Sequence, residues 1–286
     1  MDTSQIFSNL INRDGLGIVI KEGVSQARDL ATSLMEALNP EFSRSWVCST
    51  VELDKMTVFQ PVPLIITIGG DGTILRTVRL AAPAAIPILG INMGGVGYLT
   101  EVDSGDPVND LLRLLVQIPR IEERDMLEIK IHDTEQLSQP MKSMFGLNEV
   151  VIARSGLARL AVIDLTIDNF DCGRIRSDGI VVATSTGSTA YAHSLGGPVI
   201  HPESSDLLLL VPAMQMHRMN PIVIKANSII QAKPIGNYSV AVSVDGFIDH
   251  ALKPNEYALV SNSLRKAKFL RYTNTHSFYR RLWKAP

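Results

Sequence analysis

The chain has 286 residues, enough for one large domain or two medium ones, and its 45% hydrophobic and 20% charged content is typical of globular proteins. A formal net charge of -2 gives no support to a general polyanion-binding role. The two cysteines, Cys48 and Cys172, lie far apart without CxxC spacing, which argues against a disulfide scaffold or a zinc ribbon and fits a reducing compartment.

The N-terminal residues show neither the basic region nor the apolar core of a signal peptide. No apolar run reaches the roughly 18 residues that a membrane span needs. We therefore expect a cytoplasmic protein without a membrane partner.

The first third of the chain alternates between strand and helix patterns. Short apolar runs predict strands, and apolar residues at helical spacing predict helices. The predicted strands are 16–20, 46–48, 64–68 and 86–91, and the predicted helices are 25–38 and about 74–82. This βαβ order indicates a parallel sheet with helices on both faces, over residues 1–103.

After about residue 103 the pattern changes. One helix is predicted at 108–117, and beyond Glu122 most segments read as strands separated by Gly, Asn, Asp or Pro. These strands are 127–132, 144–154, 160–167, 179–184, 222–224, 228–233, 240–244 and 257–260. We infer a second, β-rich domain over residues 104–264.

The segment from about 265 to 286 is basic and aromatic. It could be a nucleic-acid arm, or a closing strand and amphipathic helix packed on the body. Short basic runs are weak signals, so we favour the second interpretation and expect no nucleic-acid partner.

The sequence GGDGT at 69–73 follows a buried strand and opens a helix. Glycines bring a ligand close to the backbone, and the free amides at a helix N-terminus suit a phosphate. A carboxylate beside phosphates is repulsive unless it binds a metal or takes a proton from an attacking hydroxyl, and Asp71 is suited to either task. The alternative, a tight turn with Asp71 as the helix N-cap, carries about equal weight for this motif alone.

Other nucleotide-binding motifs are missing from the sequence. It contains no GxxxxGK[ST] loop, no GxGxxG in the first βα turn and no HRD or DFG pair. A kinase of this sequence would therefore use GGDGT as its own phosphate-binding element.

Further polar groups interrupt apolar segments. Asn148 and Glu149 are adjacent within a predicted strand, and since neighbours on a strand face opposite ways, at least one should face a site or a bend. Both side chains are suited to hydrogen-bonding sugar hydroxyls.

In the TGSTAY sequence (186–191), small and hydroxylated residues suit a base or ribose lying close to the backbone, and Tyr191 can stack on a ring. Asp245 precedes a glycine between two predicted strands. The sequence supports two roles for it equally, a residue of a hairpin turn or a residue that lines the site.

Together these stretches resemble one family, the NAD kinases. The resemblance runs through GGDGTILRTVRLAAP, IPILGINMGGVGYLTEV, LNEVVIAR and SDGIVVATSTGSTAYAHSLGGPVIHP. GGDGT alone is shared with diacylglycerol and sphingosine kinases and, loosely, with phosphofructokinases. Its combination with the Asn-Glu pair and TGSTAY is much more specific to NAD kinases.

The resemblance implies a transferase that moves the γ-phosphoryl group of ATP, or of polyphosphate, to the adenosine ribose 2′-hydroxyl of NAD. It implies an α/β N-terminal domain with a parallel sheet flanked by helices plus an all-β C-terminal domain, with the chain end returning to the first domain. Residues 1–103 and about 265–286 would form the phosphate-donor domain, and 104–264 the NAD-binding domain. Homodimers or homotetramers are also implied.

The resemblance assigns roles to individual residues. Asp71 would be the general base. The donor phosphates would lie against Gly69, Gly70, Gly72 and Thr73, with Arg76 nearby. NAD would be bound by Asp71, Gly72, Asn148, Glu149, Arg176, Asp178, Thr186, Thr189, Ala190, Tyr191, Ala192, His193 and Ser194.

A dedicated protein metal site is not predicted, because the six histidines show no HxH or HxxxH spacing. Mg²⁺ or another divalent cation is expected to accompany ATP.

The chain departs from the family pattern at a few positions. Residues 214–221 read MQMHRMNP where the family often has PHSLSxRP, so the usual His, Ser and Arg fall on Gln215, Met216 and Asn220. Phe247 replaces a frequent Gln, Ser177 a frequent Gly, and Ser185 a usual Pro. The resemblance therefore implies activity with altered contacts at the substrate end. The sequence does not decide between ATP and polyphosphate as the phosphoryl donor, or between NAD and NADH as the preferred acceptor. The alternatives are a GGDGT-type lipid or small-alcohol kinase and a non-catalytic NAD-binding regulator.

Overall fold

A computed structural model describes residues 14–38, 41–56, 59–94, 97–103, 105–115, 117, 119–134, 139–156, 159–215, 219–236, 240–272 and 276–284. The chain divides into two compact units. The first comprises residues 1–123 and 267–286, and the second comprises 124–266.

The first unit is built on short, mostly apolar strands. They are β1 (Gly17–Ile20), β2 (Trp46–Ser49), β3 (Ile65–Gly69) and β4 (Ile88–Asn92), and they are joined by the end of the long strand β16 (Glu256–Arg271). The order is β2-β1-β3-β4-β16, and all of these pairs are parallel. β1, β3 and β4 are buried along their whole length, as expected for central strands of a parallel sheet.

Amphipathic helices complete the first unit. They are α1 (Ser25–Leu38), α2 (Thr50–Leu53), α3 (Asp71–Ala81), α4 (Pro107–Leu115) and α6 (His276–Lys284). In α1 the buried residues Ala27, Ala31 and Leu34 follow helical spacing and join the core of the sheet. Leu111 of α4 lies in the same core.

That position of α4 explains where the units divide. The predicted division at 103/104 lies earlier in the chain than the observed one, because α4 packs on α1 and its apolar face belongs to the first core. Sequence periodicity identifies the helix but does not say which core it joins.

The second unit is almost entirely strands. A six-stranded antiparallel sheet has the order β12-β11-β10-β7-β14-β15, and the strand order β16-β13-β8-β9 forms another antiparallel region, with β5 paired to β6. Their bounds are β5 (Arg120–Asp133), β6 (Lys142–Gly146), β7 (Glu149–Arg154), β8 (Ala161–Ile167), β9 (Phe170–Ser177), β10 (Gly179–Ala183), β11 (Leu207–Leu210), β12 (Ile222–Ile224), β13 (Ile230–Pro234), β14 (Val240–Val244) and β15 (Phe247–Leu252). Apolar side chains from both regions share one core.

These observations confirm the predicted fold class, an α/β N-terminal part and a β C-terminal part. Several details of the prediction were wrong. The single strand expected at 144–154 is two strands, β6 and β7, divided at Leu147 and Asn148. The strands β9, β11 and β15 were missed. The tail forms the end of β16 and helix α6, as the favoured interpretation expected.

Within the described ranges, no helix combines the length and the apolar character that crossing a membrane requires.

Candidate active site

The GGDGT turn lies where β3 ends and α3 begins. Gly70 is the N-cap of α3, with φ -114° and ψ -167°, and no side chain caps this helix. The alternative role of Asp71 as N-cap is therefore wrong: Asp71 is the first helical residue. A Cβ on Gly69 would lie 2.3 Å from the Thr73 Oγ1 atom, so packing requires that glycine.

Gly70 and Gly72 have a different environment. A Cβ on either would meet no atom within 4 Å, and neither glycine has a positive φ. Neither local packing nor backbone strain therefore explains these two glycines. Open space beside a helix N-terminus is what a phosphate that approaches the backbone needs.

The carboxylate of Asp71 is held by a second loop. Its Oδ2 atom accepts the backbone N–H of Tyr98 at 2.9 Å, and its Oδ1 atom accepts that of Leu99 at 3.0 Å. Burial raises the pKa of Asp71, while these hydrogen bonds and the positive charges of Arg281 and Arg271 lower it; burial has the larger effect. The result is a fixed carboxylate that is more basic than an exposed aspartate.

The remaining donor-side residue, Arg76, lies on α3 and forms an ion pair with Asp54. Gly95 and Val96, in the glycine-rich stretch that follows β4, lie outside the described residues. Asp71, the glycines and Thr73 are thus brought together at one turn.

In the second unit, Asn148 and Glu149 lie at the break between β6 and β7. Both are buried, with 8% and 7% exposure. The carboxylate of Asp245 accepts three backbone N–H groups here: Leu147 at 2.7 Å, Asn148 at 2.7 Å and Glu149 at 3.2 Å. Asp245 itself has φ 51° in the turn between β14 and β15, so it serves both as a hairpin residue and as a clamp on this break.

Glu149 is a buried acid with unused hydrogen-bonding capacity. Its Oε2 atom has no partner among the described residues. Burial, followed by the nearby charge of Asp245, raises its pKa from 4.5 to about 7, and a hydrogen bond from the Tyr191 backbone opposes this rise. A buried carboxylate oxygen without a partner is suited to accept a hydroxyl group of a ligand.

The TGSTAY sequence packs directly against that break. It forms a 3₁₀ turn, Thr186–Thr189, and the short helix α5 (Tyr191–Ser194). The Thr184 hydroxyl donates to the Leu147 carbonyl at 2.6 Å and accepts the Gly187 N–H at 3.0 Å. The Thr186 hydroxyl accepts a hydrogen bond from buried Arg124 at 3.2 Å.

Members of the predicted segment 189–194 differ in exposure. Tyr191 is 46% exposed, as a ring that stacks on a ligand would be, and His193 and Ser194 are also exposed. Thr189 and Ala190 are partly buried, and the Thr189 hydroxyl donates to the Thr186 carbonyl at 3.2 Å. Ala192 is fully buried in a small apolar cluster, so its side chain serves packing.

Arg176 lies within the last residues of β9, and Asp178 follows the end of this strand. Arg176 is exposed, and its carbonyl accepts the Gln215 N–H at 2.8 Å. Asp178 accepts a hydrogen bond from Arg154 Nε at 2.6 Å. The sequence did not predict Arg154, Arg124, Arg271 or Arg281 as residues that support the site.

The stretch that departs from the family pattern lies partly outside the described residues, since 216–218 are not described. A cavity of about 380 Å³ adjoins the described part of the stretch, and it is lined by Leu195, Val211, Pro212, Ala213, Met214 and Met219. Two residues of the stretch, Met214 and Met219, contribute to this lining.

The described residues contain no group of three or more His, Cys, Asp or Glu side chains that could hold a metal ion.

Both units match models of one family. The ATP-NAD kinase N-terminal domain matches residues 24–120, and the ATP-NAD kinase C-terminal domain matches residues 147–272. An NAD kinase of Dehalococcoides mccartyi is 34% identical over 270 residues, which cover 93% of this chain and 94% of that protein. An NAD kinase of Methanothermobacter thermautotrophicus is 37% identical over 221 residues, which cover 77% of this chain and 74% of that protein.

Solved structures share the fold. A yeast NADH kinase in complex with NADH has a TM-score of 0.78 at 20% identity, covering 94% of this chain and 86% of its own. An NAD kinase from Archaeoglobus fulgidus in complex with ATP has a TM-score of 0.71 at 22% identity, covering 95% of this chain and 100% of its own. The chain belongs to the NAD kinase family, as the sequence motifs predicted.

Proposed function

We propose that this chain is an NAD kinase that transfers the γ-phosphoryl group of ATP to the adenosine ribose 2′-hydroxyl of NAD. The observation that carries the proposal is the carboxylate of Asp71, fixed by the N–H groups of Tyr98 and Leu99 beside two open glycines. The family match and the ATP and NADH complexes of the structural relatives support the choice of substrates.

In this reaction Asp71 takes the proton of the 2′-hydroxyl while the hydroxyl oxygen attacks the γ-phosphorus. The bond from the γ-phosphorus to the bridging oxygen of ADP breaks, and the products are NADP and ADP. Burial makes Asp71 a stronger base, and its two hydrogen bonds keep the carboxylate in one orientation.

The donor phosphates lie against the backbone at Gly70 and Gly72, where a side chain would occupy the space. Thr73 and Gly69 shape the turn beneath them, and Arg76 of α3 adds positive charge nearby. A divalent cation that accompanies ATP would neutralise charge on the transferring group.

NAD is bound by residues of the second unit. Asn148 and Glu149 accept and donate hydrogen bonds to ribose hydroxyls, and the unused Glu149 Oε2 atom is suited to this. Tyr191 offers an exposed ring for stacking. Arg176, Asp178, Thr186 and the exposed members of 189–194 complete the set of NAD contacts.

The test is an NADP-formation assay with purified protein, NAD, Mg²⁺ and either ATP or polyphosphate, read through an NADP-specific dehydrogenase. The wild-type protein should give signal, and Asp71→Asn should lower kcat by about 10²- to 10⁴-fold, the usual contribution of a general base. Asp29→Asn, an exposed change on α1, is the matched control and should leave turnover unchanged. Wild-type turnover in the Asp71→Asn protein would refute the general-base role.

We further propose a cytoplasmic homodimer or homotetramer. Light scattering of the purified protein at several concentrations tests the oligomeric state, and a monomer at all of them would overturn it.

A further inference from the structure

One peptide group links Asp71 to the C-terminal helix. The peptide that joins Tyr98 to Leu99 donates its N–H to the Asp71 Oδ1 atom at 3.0 Å. The carbonyl oxygen of the same peptide accepts a hydrogen bond from Arg281 Nη1 of α6, also at 3.0 Å. A cation at the oxygen of a peptide polarises it and strengthens the hydrogen bond that its N–H donates.

The next peptide groups of this loop are held by a second arginine. Arg271, at the end of β16, donates to the carbonyls of Leu99 at 2.8 Å and Thr100 at 3.3 Å. Its own charge is balanced by two buried carboxylates, Glu122 at 2.6 Å and Glu101 at 3.3 Å. Arg271 therefore works as a fixed structural support for the loop.

Arg281 has a different electrostatic environment. Burial, and then the positive charge of Arg271, lowers its pKa, while the carboxylates of Glu101, Asp103 and Asp71 raise it. Its guanidinium group thus acts on Asp71 in two ways, through the shared peptide and by its charge.

We propose that Arg281 is a positioning residue for phosphoryl transfer, which fixes the Asp71 carboxylate through the Tyr98–Leu99 peptide group. This inference rests on the proposed role of Asp71 as general base. Loss of Arg281 weakens the hydrogen bond that the Leu99 N–H donates to Asp71 and removes a positive charge near the Asp71 carboxylate. Both changes raise the pKa of Asp71, because both had favoured its ionised form.

The first measurement is independent of activity. Amide hydrogen exchange of the peptide covering 97–101 is compared in the wild type, Arg281→Gln, Arg281→Met and Arg281→Lys. Arg280→Gln is the control, since Arg280 is the exposed neighbour of Arg281 on the same helix. We expect about tenfold faster exchange in the Gln and Met proteins, as fits loss of one charge-assisted hydrogen bond. The Lys and control proteins should stay near wild type.

The second measurement is the dependence of kcat on pH. The acidic limb should move to higher pH in Arg281→Gln and Arg281→Met, with KM for ATP little changed, and Arg281→Lys should restore it in part. A merely structural role would lower stability without moving this limb. If the Arg281→Gln protein fails to fold, the same shift of the acidic limb is measured in the Arg281→Met protein, whose side chain keeps an apolar stem.

Unchanged exchange and an unchanged pH profile in the charge-removing variants would overturn the inference. Failure of the wild type to form NADP would instead overturn the proposed function, and faster exchange in the variants would still support the coupling of Arg281 to the Asp71 loop.

Discussion

Gly187 lies against the backbone of Asn148 so closely that a Cβ on Gly187 would stand 2.1 Å from the Asn148 carbonyl oxygen. The same oxygen accepts the N–H of Thr184 at 2.9 Å. The turn after β10 and the start of β7 are therefore fixed to each other by main-chain contacts. Because both carry proposed NAD-binding residues, their packing sets the shape of that site.

Replacement of Gly187 by alanine should disturb both stability and NAD binding. The new Cβ meets backbone atoms, which cannot rotate away, so we expect destabilisation of about 1–3 kcal/mol and a raised KM for NAD. Urea unfolding and steady-state kinetics measure the two effects. Gly156→Ala, where a Cβ would meet nothing within 4 Å, is the control and should stay within about 0.5 kcal/mol of wild type. Equal effects of the two changes would contradict this packing argument.

Replacement of Gly72 by alanine should raise KM for ATP without lowering the stability of the fold. Gly72 lies in the first turn of α3 and has open space around it, so alanine should be neutral or stabilise the fold by up to about 1 kcal/mol. The added methyl group would enter the space proposed for phosphate, so KM for ATP should rise. Thermal unfolding and ATP titrations check this pair of effects, with Gly105→Ala as control. An unchanged KM for ATP would place the phosphates elsewhere.

Replacement of Asp245 by asparagine should loosen the break between β6 and β7. An amide can accept at one oxygen only, so a buried N–H group near Asn148 loses its partner, at a cost of about 1.5–3 kcal/mol. Removal of the charge should also lower the pKa of Glu149. Urea unfolding reports the first effect. A stability equal to that of wild type would show that the clamp contributes little.

The raised pKa of Glu149 predicts a pH-dependent stability. A carboxyl group whose pKa rises from 4.5 to about 7 on folding favours the folded state when protonated. Its contribution is therefore lost as pH rises from about 4.5 through 7, by at most about 3 kcal/mol. Glu149→Gln, which stays neutral, should be more stable than wild type at pH 8 and similar to it at pH 5.

Denaturant unfolding at the two pH values measures this difference. Glu203→Gln, an exposed change in the same unit, is the control. The difference in unfolding free energy between Glu203→Gln and wild type should be the same at both pH values. If Glu149→Gln and wild type lose stability in parallel between pH 5 and 8, the carboxyl group ionises normally and the prediction is wrong.

The sequence predicts local features of this protein well. Apolar runs identify the parallel strands, and the glycines around Asp71 identify the strand-to-helix turn, because both signals lie within a few residues. The strand β9 was missed because its exposed, polar sequence lacks the apolar alternation of a half-buried strand.

Contacts between distant residues account for the rest of what was missed. The break at Asn148 depends on Asp245, which lies 97 residues later in the chain. The loop that holds Asp71 depends on Arg271, 172 residues after Leu99, and on Arg281, 183 residues after Tyr98. No spacing rule within one sequence reveals such partners, so the family resemblance supplied the proposed site residues but not the residues that contact and support them.

The first unit is discontinuous in the chain, since residues 267–286 belong to it. A ribosome therefore finishes the continuous second unit before it delivers the strand and helix that complete the first. Nascent chains that stop within the second unit carry Asp71 but neither Arg271 nor Arg281. We expect competence for phosphoryl transfer to appear only after translation has supplied the end of β16 and helix α6, so that aborted synthesis yields inactive protein.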